Sequence, residues 1–142
     1  MANTNAAGIQ YLSDSGTDGT KFISTISSVG IGYGTGAGSA VTQITNRSTA
    51  VVISSVTGTI TTDTTSLAAG AVATFTVTNT SVAITDVVAI SVQSALTTTQ
   101  TNVRVTTVAA GSFAISVENN HASTAETGAI IINFTVIKGV AA

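Results

Sequence analysis

The sequence predicts an all-β fold: an antiparallel two-sheet sandwich, jelly-roll-like, of about eight strands with an extended N-terminal arm. Two observations predict this fold. Threonine and serine are abundant along the chain, and the branched Cβ of threonine suits the pleated, half-buried surface of a sheet. Apolar and polar residues alternate with a period of two in several runs, and the pattern predicts no helix.

The arm is predicted over residues 1–29 and the β-sandwich domain over residues 30–142. The arm is poor in strand alternation and contains the polar, turn-forming run SDSGTDGTK, which is typical of an extended segment. In the domain, alternation and turn residues predict strands over residues 41–45, 50–54, 56–61, 72–79, 87–93, 102–107, 112–119 and 129–137.

Phenylalanines mark the core faces of three predicted strands. Phe75 lies between threonines in VATFTVT, and Phe113 begins the alternating run FAISVEN, so each strand is predicted to have one core face and one polar face. The last strand, AIIINFTVIK, contains Phe134 and is apolar on both faces. This pattern suggests burial on both sides and is compatible with a contact between subunits.

Two segments of the domain echo each other: LAAGAVATFTVTN at residues 67–79 and VAAGSFAISVEN at residues 108–119. Gly70 and Gly111 are predicted to lie in turns, and Asn79 and Asn119 at strand ends, where asparagine tolerates left-handed backbone conformations. Two related hairpins that face each other would suit a two-sheet sandwich.

The run VGIGYGTGAGSAVTQIT, at residues 29–45, has glycine at every second position from Gly30 to Gly38. A glycine-rich loop binds phosphate when it leaves a strand and opens a helix, whose N-terminal N–H groups hold the anion. Here the following residues alternate as a strand does, and no lysine follows the glycines. We therefore interpret the run as the passage from the arm to the β-domain, with no bound ligand.

Composition argues against nucleic acid and membrane as partners. Charged residues make up 7% of the chain, against about 25% in ordinary soluble domains, and the net charge is −2. The uncharged stretch 22–46 is interrupted throughout by polar residues, so it predicts no membrane-spanning helix. The basic residues form no stripe that could follow a phosphate backbone, since they are scattered at Lys21, Arg47, Arg104 and Lys138.

No catalytic residue, metal site or cofactor is predicted, and we expect a protein that is not an enzyme. Cysteine is absent, and the one histidine, His121, lies in the polar run ENNHAST, where a surface-loop role is the simpler interpretation. Asp14 and Asp18 imitate part of a calcium loop, but its twelfth position holds Thr25 instead of glutamate, so turn formation explains them better.

Few charges and no proline leave the predicted strands without the usual protection of sheet edges. Neighbouring copies can cover such edges, and a closed symmetric assembly limits open-ended association. The composition therefore predicts a homo-oligomer, and we expect a homotrimer.

Several ordered motifs run through residues 30–142: GIGYGTGAGSAVTQIT, VTGTITT, SLAAGAVATFTVTN, ITDVVAISV, VAAGSFAISVENN and IIINFTVIKG. In this order they resemble a β-structured family of tailed-bacteriophage virion proteins, whose members are head decoration proteins and C-terminal pieces of tail fibres. The resemblance carries over structural residues only: Tyr33, Gly36, Gly38, Thr42 and Gln43 in the first motif, and Asn133, Phe134 and Lys138 in the last.

The resemblance implies a virion structural protein with the major capsid protein as partner, made in the host cytoplasm and located on the capsid exterior. The short segment before the first motif favours a small decoration, or cement, protein over a fibre. The expected capsid anchor is the arm, with Asp14, Asp18, Lys21 and Phe22 as candidate contacts. The alternative is a tail-fibre or spike tip that binds a host-surface receptor or glycan, although such tips usually present aromatic platforms and this chain has no tryptophan.

Overall fold

A computed structural model of the protein describes residues 3–4, 10–11, 33, 36–94 and 96–141. By its internal contacts the chain divides into two units, Met1–Gly34 and Thr35–Ala142. In the first unit, β1 (Asn3–Thr4) and β2 (Gln10–Tyr11) form an antiparallel pair, although the sequence pattern predicted no strand there. The predicted boundary between residues 29 and 30 lies outside the described residues.

The second unit is all-β, as predicted, and its described residues contain no helix. Each of its strands overlaps one of those predicted from the sequence. They are β3 (Gly38–Thr42), β4 (Val51–Val52), β5 (Thr57–Thr61), β6 (Val72–Thr78), β7 (Val87–Ser94), β8 (Thr101–Ala109), β9 (Ser112–Asn119) and β10 (Ile131–Ile137).

The strands form the two sheets of a β-sandwich. Sheet I has the order β3-β5-β10-β7 and sheet II the order β4-β6-β9-β8. Most neighbours are antiparallel, but β3 runs parallel to β5 and β4 runs parallel to β6, so both sheets are mixed and depart from the purely antiparallel arrangement predicted. The parallel pairs arise because the chain crosses between the sheets after each of these strands, so strands two apart run in the same direction. Side-chain alternation has the same period in both kinds of ladder and could not reveal this.

The inner faces of the two sheets form one apolar core. Phe75, Phe113 and Phe134 are all buried, as predicted. Phe113 of sheet II meets Phe134 of sheet I, with ring centroids 5.5 Å apart and an interplanar angle of 50°, a tilted geometry that aromatic pairs favour. The core is therefore closed by an aromatic contact between the sheets.

The last strand, β10, is fully buried on one face only. Ile132 and Val136 are buried beside Phe134, while Asn133 is half-buried and Ile137 is 54% exposed on the opposite face. The sequence pattern suggested burial on both sides, because both sets of β10 residues are largely apolar. The outward set instead belongs to the outer face of sheet I.

The echoed segments become neighbouring strands within sheet II. β6 and β9 pair antiparallel, with Phe75 opposite Ile115, so the segments lie side by side in one sheet and not as facing hairpins. Gly70 and Gly111 have φ angles of 72° and 78°, which confirms the predicted turns, because this region suits glycine.

The asparagines that end the two echoes are fully buried and make equivalent contacts. The Asn79 side chain donates to the Ser55 carbonyl at 2.8 Å and accepts the Ser81 N–H at 2.9 Å. The Asn119 side chain donates to the Leu67 carbonyl at 3.0 Å and accepts the His121 N–H at 3.1 Å. A short amide with both a donor and an acceptor can join a turn to a neighbouring segment, which accounts for asparagine at both positions.

Replacing Phe113 with alanine is expected to lower the free energy of unfolding by about 3–5 kcal/mol, because the cavity would lie between the sheets. Urea denaturation of both proteins measures the loss. Val72→Ala, at the half-exposed first residue of β6, is the control and should cost less than about 1 kcal/mol. Equal losses for the two variants would contradict the assignment of Phe113 to the core.

Candidate functional site

The charged side chains of the described residues fall into three groups. Arg104 and Glu118 form an ion pair on the outer face of sheet II, and Asp86 pairs with Lys138. Arg47 and Glu126 are buried together, with Asp63 nearby. Within the part of the chain that the structure describes, no group of three or more acidic or histidine side chains could hold a metal ion.

Arg47 lies in the loop between β3 and β4, and its guanidinium is buried. It donates hydrogen bonds to the Thr65 carbonyl at 2.5 Å, to Thr62 Oγ1 at 3.2 Å and to the Gly128 carbonyl at 2.7 Å. A further bond reaches the Glu126 carbonyl at 3.3 Å. One side chain thus joins the loop after β5 to the loop before β10.

Glu126 is fully buried beside this guanidinium, and its carboxylate accepts hydrogen bonds on both oxygens. Oε1 accepts the N–H groups of Thr97 and Gly128 at 2.8 and 3.0 Å, and Oε2 accepts the Thr98 N–H at 3.2 Å and the Thr101 hydroxyl at 2.9 Å. Both charges of the Arg47–Glu126 cluster are therefore satisfied within the fold, which is typical of a structural cluster.

Burial alone would raise the pKa of the Glu126 carboxyl, but hydrogen bonds from Thr97, Thr98 and Thr101 outweigh it and lower the pKa to about 2. Burial lowers the pKa of Arg47, while Glu126 and Asp63 act in the opposite direction. Because the pKa of Glu126 is lowered from its ordinary 4.5, its stabilisation is complete above that value and is lost as the pH falls towards 2.

The Asp86–Lys138 pair lies at the opposite end of sheet I, where β7 begins and β10 has ended. Besides the ion pair, Asp86 accepts the N–H groups of Ala83 and Gly139 at 2.8 and 3.0 Å. The hydrogen bond from Ala83, followed by that from Lys138, lowers the pKa of Asp86 to about 2. A Cβ atom on Gly139 would lie 1.9 Å from the Thr85 carbonyl oxygen, so only glycine fits here.

The outer face of sheet I, called the neutral face here, carries no charged side chain among its described residues. Its members follow from the strand registers and the alternation of buried residues: Ala40, Thr42, Thr57, Thr59, Thr61, Val87, Ala89, Ser91, Ile131, Asn133, Thr135 and Ile137. Small side chains in its middle leave a shallow, open groove of about 560 Å³ that crosses β3, β5 and β10.

Two threonine hydroxyls in the middle of the neutral face donate hydrogen bonds within the sheet. Thr57 Oγ1 donates to the Phe134 carbonyl at 2.9 Å and lies 3.2 Å from Thr135 Oγ1. Thr59 Oγ1 donates to the Asn133 side-chain oxygen at 3.1 Å. These threonines therefore satisfy their donors inside the chain.

The first and last motifs of the family resemblance both contribute residues to this groove. Gly38 at the start of β3 lines it, as do Asn133 and Phe134 of β10. Lys138 instead belongs to the Asp86 pair described above. Of the rest of the first motif, Tyr33 is 44% exposed, Gly36 is exposed at a φ of 91° and Thr42 ends β3.

Gln43, in the same motif, is buried beside the Arg47 loop. Its amide donates to the Thr49 carbonyl at 2.7 Å, and its oxygen accepts the Asp63 N–H at 3.1 Å. His121 is half-buried, and its Nδ1 accepts the Thr124 N–H at 2.8 Å, so it closes a turn after β9. Other predicted residues lie outside the described part of the chain: Asp14, Asp18, Lys21, Phe22, Gly30, Gly32 and Gly34.

Sequence reasoning did not identify the buried roles of Arg47, Asp86 and Glu126. In the sequence, Arg47 is one of several scattered cations, and nothing near Asp86 or Glu126 in the chain indicates a partner for either carboxylate. The bonds from Arg47 to Glu126 and Gly128 join residues about 80 positions apart in the chain. No local spacing signals such a contact, because it depends on which strands become neighbours.

Comparison of the chain with protein-family models, curated proteins and solved structures finds no match. Among the residues that the structure describes, none form a helix long and apolar enough to cross a membrane.

Replacing Arg47 with methionine is expected to destabilise the fold by about 3–5 kcal/mol, because several buried carbonyl groups would lose their donor and the Glu126 carboxylate would lose a nearby positive charge. Arg104→Met is the matched control, since Arg104 is exposed and its single ion pair should contribute less than about 1 kcal/mol. Thermal and urea unfolding of both variants at neutral pH measure the difference. A loss at Arg47 no larger than that at Arg104 would contradict the structural role of the cluster.

Proposed function

We propose that the protein is a non-enzymatic virion structural protein, a capsid decoration protein that binds the outer surface of a phage head as a homotrimer and stabilises the shell. The proposal rests on the motif resemblance and on one structural observation. The sandwich uses its buried charges internally and presents a broad, uncharged sheet face. Such a surface suits packing against protein better than it suits a reaction, which needs positioned acids, bases or nucleophiles.

The clusters at the two ends of sheet I support a structural role. Arg47 and Glu126 connect the loops at one end, and Asp86 and Lys138 hold the chain after β10 at the other. Cross-connections of this kind oppose fraying of the central strands, because loops and strand ends are where a fold opens first. Resistance to local opening is a useful property in a protein that reinforces a shell.

The first expected outcome is a trimer in solution. Multi-angle light scattering should give a mass of three times the 14.0 kDa chain, because the sandwich has few charged side chains to keep copies apart. Measurement over a hundredfold dilution series separates a stable trimer from transient association. A constant monomer mass throughout the series would refute the trimer.

The second expected outcome concerns the arm, residues 1–29, as the capsid anchor. Deletion of residues 2–28 should abolish or strongly weaken binding to undecorated heads, because a trimer binding through three arms gains about 10²-fold or more in avidity. Co-sedimentation with heads measures binding, and circular dichroism of the truncated protein checks that the sandwich is still folded. Undiminished binding by the folded, truncated protein would show that the anchor lies elsewhere.

The alternative, a fibre-tip module that binds a host-surface glycan, is favoured by one observation. The groove on the neutral face is lined by hydroxyl and amide groups, including those of Thr57, Thr59 and Asn133, which are the kinds of group that bind sugars. The proposal of a decoration protein is preferred because the hydroxyls of Thr57 and Thr59 already donate within the sheet. A glycan array with the purified protein distinguishes the two, since specific binding would favour the fibre-tip function.

A further inference from the structure

We propose that the neutral face of sheet I is the surface through which copies of this chain associate, so that the sheets of the subunits pack against one another at the symmetry axis. This inference rests on the proposed homotrimer and identifies the surface that builds it. The occupant of the face is therefore a second copy of the same chain.

The first argument is charge matching. The charged side chains of the described residues that reach solvent lie off this face: Arg104 and Glu118 on sheet II, Asp63 beyond the end of β5 and Lys138 beyond the end of β10. A partner with a strongly charged surface would lose hydration on the neutral face without gaining an opposite charge. The neutral face of another copy has the same uncharged chemistry and carries no such cost.

The second argument is the low cost of removing water from the face. Thr57 and Thr59 donate their hydroxyl protons within the sheet, to Phe134 and Asn133. A polar group that already has a partner loses little when water leaves, whereas an unpaired one would lose its only hydrogen bond.

The third argument is a pair of exposed aliphatic residues at one end of the face. Val87 of β7 lies directly opposite Ile137 of β10, and their side chains are 58% and 54% exposed. Ile84 and Val140, in the segments adjoining these strand ends, are 70% and 94% exposed. Apolar side chains gathered in this way favour contact with another protein surface.

The outer face of sheet II is a poorer candidate. Arg104 and Glu118 pair across β8 and β9 on that face, so close packing would remove an exposed ion pair from water. Burial of such a pair costs hydration that its mutual attraction recovers only with very favourable geometry. The two outer faces of the sandwich thus differ in charge: the face of sheet II carries an ion pair, and the neutral face carries no charged side chain among its described residues.

The expected contact is small. Four strands spaced by about 4.8 Å, each about 20 Å long, cover about 400 Å² of planar area per copy, about half of the roughly 800 Å² per partner of a standard specific interface. One lysine introduced into a contact of this size, with no opposite charge to meet it, should therefore disrupt it. This makes single substitutions informative.

The test compares Val87→Lys with Val72→Lys in the full-length protein. Each valine is the first residue of a strand, β7 or β6, and the two are 58% and 51% exposed, but they lie on different sheets. Light scattering over a dilution series should show that Val87→Lys raises the concentration of half-dissociation by about 100-fold or more, while Val72→Lys leaves it unchanged. Circular dichroism and thermal unfolding of each variant establish that the fold is retained.

A second measurement uses the absence of cysteine from the chain. Each variant chain carries a single thiol, so Val87→Cys should form covalent dimers with a short bismaleimide cross-linker, and Val72→Cys should not. If the wild type is a trimer and the Val87→Lys variant keeps the trimer mass, the assignment of the face is wrong and the trimer stands. The same holds if only the Val72→Cys variant cross-links. A monomeric wild type would overturn both the assignment and the proposed trimer.

Discussion

The buried guanidinium of Arg47 is the constraint on which the geometry of sheet I depends. β5 and β10 are its two central strands, and Arg47 bonds to Thr62 and Thr65 just after the first and to Glu126 and Gly128 just before the second. These bonds fix where both strands begin to pair, and a one-residue slip would turn the core side chains outward. The register that buries Phe134 is therefore supported from the loops as well as from the core.

Several of the few charged side chains are buried, and this leaves the surface of the sandwich poor in charge. In the described chain, Arg47, Asp86 and Glu126 are buried, although few charged residues exist to keep copies apart in water. Threonine is frequent on the outer face of sheet I, and the hydroxyls of Thr57 and Thr59 bond to the neighbouring strand β10. The result is a polar, uncharged face on which the hydroxyls of Thr57 and Thr59 already donate within the sheet. The proposed role in a virion depends on this combination, since such a face can pack against protein with little loss.

Much of the fold could be predicted from the sequence, because the alternation of apolar and polar residues along the chain indicates strands. The turns at Gly70 and Gly111 and the burial of Phe75, Phe113 and Phe134 followed from it. The parallel pairing of β3 with β5 could not be predicted, because alternation is blind to strand direction. The Arg47–Glu126 cluster could not be predicted for a related reason, because its contacts join parts of the chain that become neighbours only when the sheets form. The described part of the predicted site shares this limit, since Gly38 and Asn133 meet in one groove only through the order of strands in sheet I.

A closed, symmetric assembly would also explain how a chain with few charges avoids indefinite aggregation. Exposed edge strands with few charges can recruit further copies without end, because each added copy presents another free edge. Association through sheet faces that meet at a symmetry axis behaves differently, because every copy uses the same surface and that surface is filled when the ring closes. Placing the aliphatic pair Val87–Ile137 on the neutral face would direct association towards this closed form. The same arrangement would leave the outer face of sheet II, with its Arg104–Glu118 pair, in water, where the pair keeps its hydration.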